Sequence, residues 1–153
     1  MIANINYKGK VDQEVTRKMR FPCRKPAQVV EKTDKYTLVF FQSGSCRIMG
    51  CKKPIRPKDL KYNIQNIQLQ SLTVVHNLKT MINLYELSKV IKCVYEPEIF
   101  PGLRISKYDP MCVNLFSSGK TVLVGIKTFY YQSILNEILK ELINLINNLN
   151  TVV

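Results

Sequence analysis

Two stretches of this chain repeat one another, and the repeat constrains the fold more than any other feature. Phe41-Gln-Ser-Gly-Ser-Cys-Arg-Ile-Met-Gly-Cys-Lys52 and Phe116-Ser-Ser-Gly-Lys-Thr-Val-Leu-Val-Gly-Ile-Lys127 share Phe, Ser, Gly, Gly and Lys at equal offsets. Upstream, Phe21-Pro22 echoes Phe100-Pro101 and Asn4-Ile5 echoes Asn66-Ile67. Four features in one order mark a duplicated unit, so the chain is expected to be two versions of one supersecondary structure.

Both stretches read as β-hairpins. Tyr36–Phe41 and Cys46–Met49 flank the turn Gln42-Ser43-Gly44-Ser45, and Met111–Phe116 and Thr121–Val124 flank Ser117-Ser118-Gly119-Lys120. Alternation sets their faces: Leu38, Phe40, Cys46 and Ile48 point one way, and Val39, Phe41, Arg47 and Met49 the other. In the second hairpin Leu115 and Leu123 belong with a covering helix, leaving Phe116, Val122 and Val124 on the opposite face. That helix is expected over 129–149, where apolar residues recur at 131, 134, 135, 138, 139, 142, 145, 146 and 149. A stripe this wide needs a broad surface such as a sheet face.

The copies are unequal. The first is expected over 1–57 and the second over 58–153, together forming one intimate domain. The second holds a strand at 62–71, a helix near 80–92, the hairpin and the long helix. In the first, Pro54 and Pro57 leave no room for a long helix before Ile64. Asp12–Met19 suits two helical turns with Asp12 as N-cap, and the rest is mostly strand.

Composition narrows the function. The 153 residues carry 23 Lys+Arg against 11 Asp+Glu, a net charge of +12. Such an excess points to a polyanionic partner, most commonly nucleic acid. No segment has the length and apolarity of a membrane span, and no secretory signal is evident. The five cysteines (23, 46, 51, 93 and 112) show no CxxC or Cys/His grouping, so they are expected to be small buried apolar residues with no metal site. The single His76 has no partner motif and no phosphate-cradling Gly-rich loop occurs. Catalytic residues, cofactors and a small-molecule substrate are therefore not expected, and an enzyme is not the expected class.

Three segments carry a family resemblance. Tyr95-Glu-Pro-Glu-Ile-Phe-Pro-Gly-Leu-Arg104 resembles the second-repeat stirrup of TATA-box-binding proteins. Ile64-Gln-Asn-Ile67 is similar to their central-strand motif, and Phe116-Ser-Ser-Gly-Lys120, followed by Gly125 and Lys127, is similar to their second hairpin. The resemblance covers almost all of the second copy. The first copy matches at its strands and lacks the family's long repeat-one helix and most of its first helix.

The resemblance implies an α+β saddle: a curved antiparallel sheet from two pseudo-repeats, with helices on the convex face and a long C-terminal helix. It also implies a transcription initiation factor that enters the DNA minor groove, preferably AT-rich, wedges phenylalanines between base steps and bends the duplex. That mechanism, and the few kcal/mol spent per unstacked step, are described for this family's complexes. By position, Phe100 and Phe116 match the second-half wedge pair and Phe21 and Phe41 the first-half pair. A single Phe is more often core than contact; for Phe41 and Phe116 the alternation favours contact. Asn4 and Asn66 match the paired asparagines at the centre of the contact face, where an amide can donate to the acceptors shared by A·T and T·A. Lys52, Lys120 and Lys127 match basic positions flanking the groove, with Arg47 and Arg104 nearby.

The contact face departs from the family. Asn6, Gln68, Asn114 and Arg47 stand where apolar residues are expected, and Met49 and Val124 where threonine is expected. Val39 and Val122 complete the set assigned to DNA. The polar floor opens a second reading, a protein–protein adaptor of a transcription complex with little sequence-specific DNA binding. The resemblance further implies that Glu96, Glu98 and Ile99 dock a transcription factor IIB-like protein, or the polymerase. A compact, Asn-rich version is expected of a viral or otherwise fast-evolving source, acting in the nucleus or in a cytoplasmic viral factory.

Overall fold

The computed structural model describes residues 1–151. Eight strands and three α-helices follow in chain order: β1 Ile2–Val11, α1 Gln13–Arg17, β2 Gln28–Lys32, β3 Thr37–Phe41, β4 Ser45–Cys51, β5 Ile64–Asn77, α2 Leu84–Ser88, β6 Leu103–Ile105, β7 Cys112–Leu115, β8 Lys120–Ile126 and α3 Gln132–Thr151. Hydrogen-bonded strands take the order β2-β3-β4-β1-β5-β8-β7-β6. The chain divides into two compact units, Ile2–Leu72 and Met1 with Thr73–Val153, and β5 contributes to both. The division falls within β5, whereas the sequence repeat places its boundary at 57/58. The last two residues of the expected second repeat, 152 and 153, lie outside the described residues.

In the Ile2–Leu72 unit, β2, β3, β4 and β1 pair antiparallel in that order, with Val29 opposite Phe40, Phe40 opposite Cys46 and Gly9 opposite Cys46. One face carries the core: Ile5, Leu38, Phe40, Cys46, Ile48 and Cys51 are all within 1% of full burial. At ~25 cal/mol per Å² of apolar area, burying one such Leu or Ile contributes about 1.5–3 kcal/mol. Between β4 and β5 lies a single 3₁₀ turn, Pro57–Asp59. Pro54 precedes the turn and Pro57 opens it, so neither position has an amide to donate to a longer helix.

In the Thr73–Val153 unit, β6, β7 and β8 pair antiparallel, with Leu103 opposite Leu115 and Val113 opposite Leu123. All four are buried, as are Leu135, Ile138, Leu142 and Ile146 along one stripe of α3. The helix begins at Gln132, three residues later than its apolar pattern suggests. Tyr131 is buried ahead of it, and its carbonyl accepts the Leu135 amide at 2.9 Å, so the first apolar residue of the stripe caps the helix rather than continuing it. Tyr108 and Lys107, after β6, both hydrogen-bond the Glu141 carboxylate on α3. The helix expected near 80–92 shortens to Leu84–Ser88. Asn83 caps it, its Oδ1 accepting the Glu86 amide at 3.2 Å, and the β-branched pair Val90-Ile91 follows its end.

The duplication is visible in the backbone. The Gly44 amide donates to the Phe41 carbonyl at 3.0 Å, and the Gly119 amide to that of Phe116 at 2.9 Å. Both glycines sit at positive φ, 91° and 87°, where a Cβ is strongly disfavoured. The Gly44 carbonyl accepts from Val11, at the end of β1, and the Gly119 carbonyl from Leu78, just past β5. Gly50 and Gly125, the next matched pair, share φ values of 78° and 79°.

Candidate nucleic-acid interface

Each unit presents its own candidate surface. In the Thr73–Val153 unit, Phe100 and Phe116 meet edge to face, with ring centroids 5.7 Å apart and planes at 67°. Both rings are half-buried. They are held from two sides. A Cβ at Gly102 would lie 2.7 Å from the Phe100 ring and 3.1 Å from the Phe116 ring, so only glycine lets the chain pass this closely. The Arg104 guanidinium lies 5.7 Å from the Phe100 centroid. Paired aromatics in this geometry are worth about 0.5–1.5 kcal/mol beyond their buried area. The result is an ordered apolar pair that the chain leaves partly uncovered.

Behind this pair, β7 and β8 place Asn114 opposite both Arg104 and Val122, and Val124 opposite Cys112. Asn114, Val122 and Val124 are half-buried while their neighbours Val113, Leu115 and Leu123 are buried, as alternation requires. Lys120 and Lys127 are exposed. The loop before Phe100 is a tight turn in which the Glu96 carbonyl accepts the amides of Ile99 and Phe100, both at 2.9 Å. It leaves Glu96 and Glu98 exposed and Ile99 80% exposed.

In the Ile2–Leu72 unit, the corresponding face is a polar cleft of about 660 Å³. Phe41, Arg47, Asn66 and Gln68 line it together with Lys8, Lys10 and Gln70. The Arg47 guanidinium lies 5.5 Å from the Phe41 centroid. Lys8 and Arg47 are register partners across β1 and β4. Like charges directly opposite destabilise a sheet, so a polyanion is the natural counterpart of this face. Lys8 and Lys10 escaped the sequence reading because no second-repeat residue echoes them. They could have been found by alternation from Asn4 and Asn6, which lie on the same side of β1.

Several sequence expectations change here. Val39, assigned to the contact face, is 7% exposed. It lies between Val30 and Arg47 in register, and these cross-strand neighbours cover it, so it offers a ligand almost nothing. Asn6 is engaged internally: its Nδ2 donates to the Ser71 hydroxyl at 3.2 Å and its Oδ1 accepts the Gly50 amide at 3.1 Å. Asn66 stands exposed at φ 52°, within the cleft. Asn4 is half-buried and its Oδ1 is buried without a protein partner. The Lys52 ammonium donates to the Ala3 carbonyl at 2.6 Å. Phe21 lines a separate cleft with Arg17 and Met19 rather than that of Phe41. Of the cysteines expected inside, Cys46 and Cys51 are buried, Cys93 and Cys112 are intermediate, and Cys23 is exposed. Burial raises the Cys46 thiol to about 11.

Two matched β-hairpin repeats, a long helix in the second and a half-buried aromatic pair together define a chain of the two-repeat, sheet-based α+β class. The comparisons make the class specific. The family model described as "Transcription factor TFIID (or TATA-binding protein, TBP)" matches residues 61–149. The chain is 31% identical over 160 residues to "TATA-box-binding protein-like 1" of Entamoeba histolytica, covering 90% of this chain and 74% of that protein. It is 34% identical over 112 residues to the TATA-box-binding protein of Sulfolobus acidocaldarius, covering 63% of this chain and 57% of that protein. The structure of Methanococcus jannaschii TBP superposes with a TM-score of 0.73 at 24% identity, covering 96% of this chain and 97% of that one. The chain belongs to the TATA-box-binding protein family and has its fold.

Proposed function

We propose that this chain is a transcription initiation factor that binds duplex DNA from the minor groove and bends it by inserting Phe100 and Phe116 between base steps. The observation that carries the reading is the Phe100–Phe116 pair: two aromatic rings fixed edge to face, braced by Gly102 and Arg104, yet half open to solvent. A fixed apolar edge is suited to unstacking a base step, because its own conformational entropy is already spent. Family membership supports DNA as the ligand, and Asn66, Gln68, Lys8 and Arg47 offer donors to a groove wall in the other unit. The exposed acidic turn at Glu96, Glu98 and Ile99 is proposed as the contact for a transcription factor IIB-like protein or for the polymerase.

The test is bending. On a short AT-rich duplex labelled at both ends, the parent protein should raise fluorescence transfer. The Phe100→Ala/Phe116→Ala double variant should leave it at the free-duplex value and weaken binding roughly tenfold or more, the equivalent of ~1.4 kcal/mol. A double variant that bends DNA as well as the parent removes the wedge assignment. The polar cleft of the Ile2–Leu72 unit favours a second reading, an adaptor that holds a protein and binds DNA without sequence preference. Its signature is equal affinity for AT-rich and GC-rich duplexes, together with loss of a protein contact on reversing the charges of Glu96 and Glu98.

A further inference from the structure

Counted from the matched phenylalanines Phe41 and Phe116, the repeat pairs Val39 with Asn114 and Arg47 with Val122. One row of the sheet therefore carries Val39 and Arg47 in the first unit and Asn114 and Val122 in the second, register partners in both. Val39 is covered. Asn114 is half-buried, with Arg104 on β6 to one side and Val122 on β8 to the other. Paired strands on both sides hold its backbone, so its carboxamide is offered at a set place.

That carboxamide is short of partners. Its one hydrogen bond among the described residues comes from the Cys112 thiol, which reaches Oδ1 at the long distance of 3.9 Å. On its face stand Phe116 two residues on, Val122 opposite, and the register pair Cys112 and Val124. The other amides of the two units are placed differently. Asn6 is satisfied internally by Ser71 and Gly50, and Asn66 and Gln68 are exposed and keep their water. A ligand that covers Asn114 strips its remaining water. Each amide group then left unpaired costs roughly tenfold or more in affinity, unless the ligand supplies both an acceptor and a donor.

The minor groove meets that demand at one base. A·T and T·A present acceptors alone, adenine N3 and thymine O2, whereas G·C adds the N2 amino donor of guanine. Guanine thus sets an acceptor, N3, beside a donor, N2. A carboxamide is their complement, with Nδ2 donating to N3 and Oδ1 accepting from N2. Against A·T, Nδ2 is paired and Oδ1 is left dry. A valine at the same place would leave the guanine amino group unpaired instead.

We infer that Asn114 is a specificity-determining residue that selects a guanine, within an otherwise AT-rich duplex, near the step opened by Phe100 and Phe116. At the strand rise of ~3.4 Å per residue, Asn114 lies ~7 Å from Phe116 along β7, or about two base pairs. The inference rests on the proposed minor-groove reading and adds the base that the groove must contain. The first unit makes no such demand, because the Arg47 guanidinium has donors only and can accept nothing from guanine.

The experiment measures binding by anisotropy to versions of one AT-rich duplex that differ at a single scanned position. That position holds A·T, G·C, inosine·C (G·C without the N2 amino group) or 2-aminoadenine·T (A·T with it). At a position about two base pairs from the wedged step, the parent should bind the two amino-bearing duplexes roughly tenfold tighter than the other two. Asn114→Val, which installs the residue of the matched position, should reverse that ratio. The ratio is taken within one protein, so a general loss of fold or affinity does not imitate it. A parent for which the amino group weakens binding at every position, or changes it at none, overturns the inference with no variant needed. A parent preference that persists in Asn114→Val overturns the assignment to Asn114. If the parent bends the AT-rich duplex yet gains nothing from the amino group, only this inference fails. If the preference appears and Asn114→Val reverses it while Phe100→Ala/Phe116→Ala bends DNA as the parent does, only the wedge reading fails.

Discussion

The turns at Phe41–Ser45 and Phe116–Lys120 share a hydrogen bond, a positive-φ glycine and a second positive-φ glycine six residues on, yet their surroundings have parted. Around Phe116 the chain assembled a second ring, a glycine to admit it and a buried helix stripe. Around Phe41 it placed an arginine on the ring, two lysines beside it and no long helix. The backbone of the ancestral unit is the conserved quantity, since φ > 0 at the turn is set by sterics that no side chain can bypass. Side-chain chemistry, which hydrogen-bonded strands leave free on one face, could then diverge toward an apolar edge in one unit and toward cations in the other.

The largest expected effect sharpens the likeness of the two turns. Gly119→Ala should destabilise the fold by about 2–4 kcal/mol, combining the left-handed cost of ~1–2 kcal/mol with overpacking of comparable size, because the new Cβ would lie 2.5 Å from the Thr80 carbonyl oxygen. Gly44→Ala should cost only about 1–2 kcal/mol, its nearest obstacle being the Val11 carbonyl at 3.1 Å. Urea unfolding of both variants checks the difference; equal costs would mean that the turn conformation alone decides.

A smaller effect tests the unlikeness. Gly102→Ala should cost ~1 kcal/mol or less in stability, because the half-exposed rings can swing aside. It should nevertheless lower bending of AT-rich DNA at saturation while circular dichroism stays that of the parent. Full bending by this variant would show that the edge-to-face geometry is incidental.

The smallest effect concerns α3. Hydrogen bonds from Lys107 and then Tyr108 hold the Glu141 carboxyl below the usual carboxylate range. A depressed acid stabilises the fold above its unfolded pKa, about 4.3, and that contribution is lost as pH falls through the folded value. Glu141→Gln should therefore flatten the acid limb of a stability–pH curve below about pH 5, by less than ~1 kcal/mol because the pair is partly exposed. Tyr108, raised by burial and then by Glu141, acts at the other end: its contribution is lost as pH climbs above the tyrosine range.

Much of this was legible in the sequence where periodicity is strong. The hairpin alternation foretold the burial of Leu38, Phe40, Cys46, Ile48, Leu115 and Leu123, and the stripe through Leu135 and Leu142 foretold α3. Legibility failed where tertiary partners decide. The five-residue strand Gln28–Lys32 carries no alternation of its own and is fixed by pairing with β3. β5 runs on to Asn77, past the expected end at 71, because Leu72 to Val75 remain apolar or β-branched. Val39 obeys alternation and is still covered, since period two gives a face and says nothing of neighbours on it. Gly102 was invisible because its role is the space it leaves, and Lys8 and Lys10 because the repeat has no second copy of them.

The exposure of Cys23 has a practical consequence. The four other thiols are buried or half-buried and held above the normal thiol range by desolvation, and the thiolate is the reactive form. A maleimide dye at neutral pH thus has one fully exposed address, in the middle of the Arg17–Lys25 segment. The chain comes with its own labelling position among exposed cations, without any engineered cysteine.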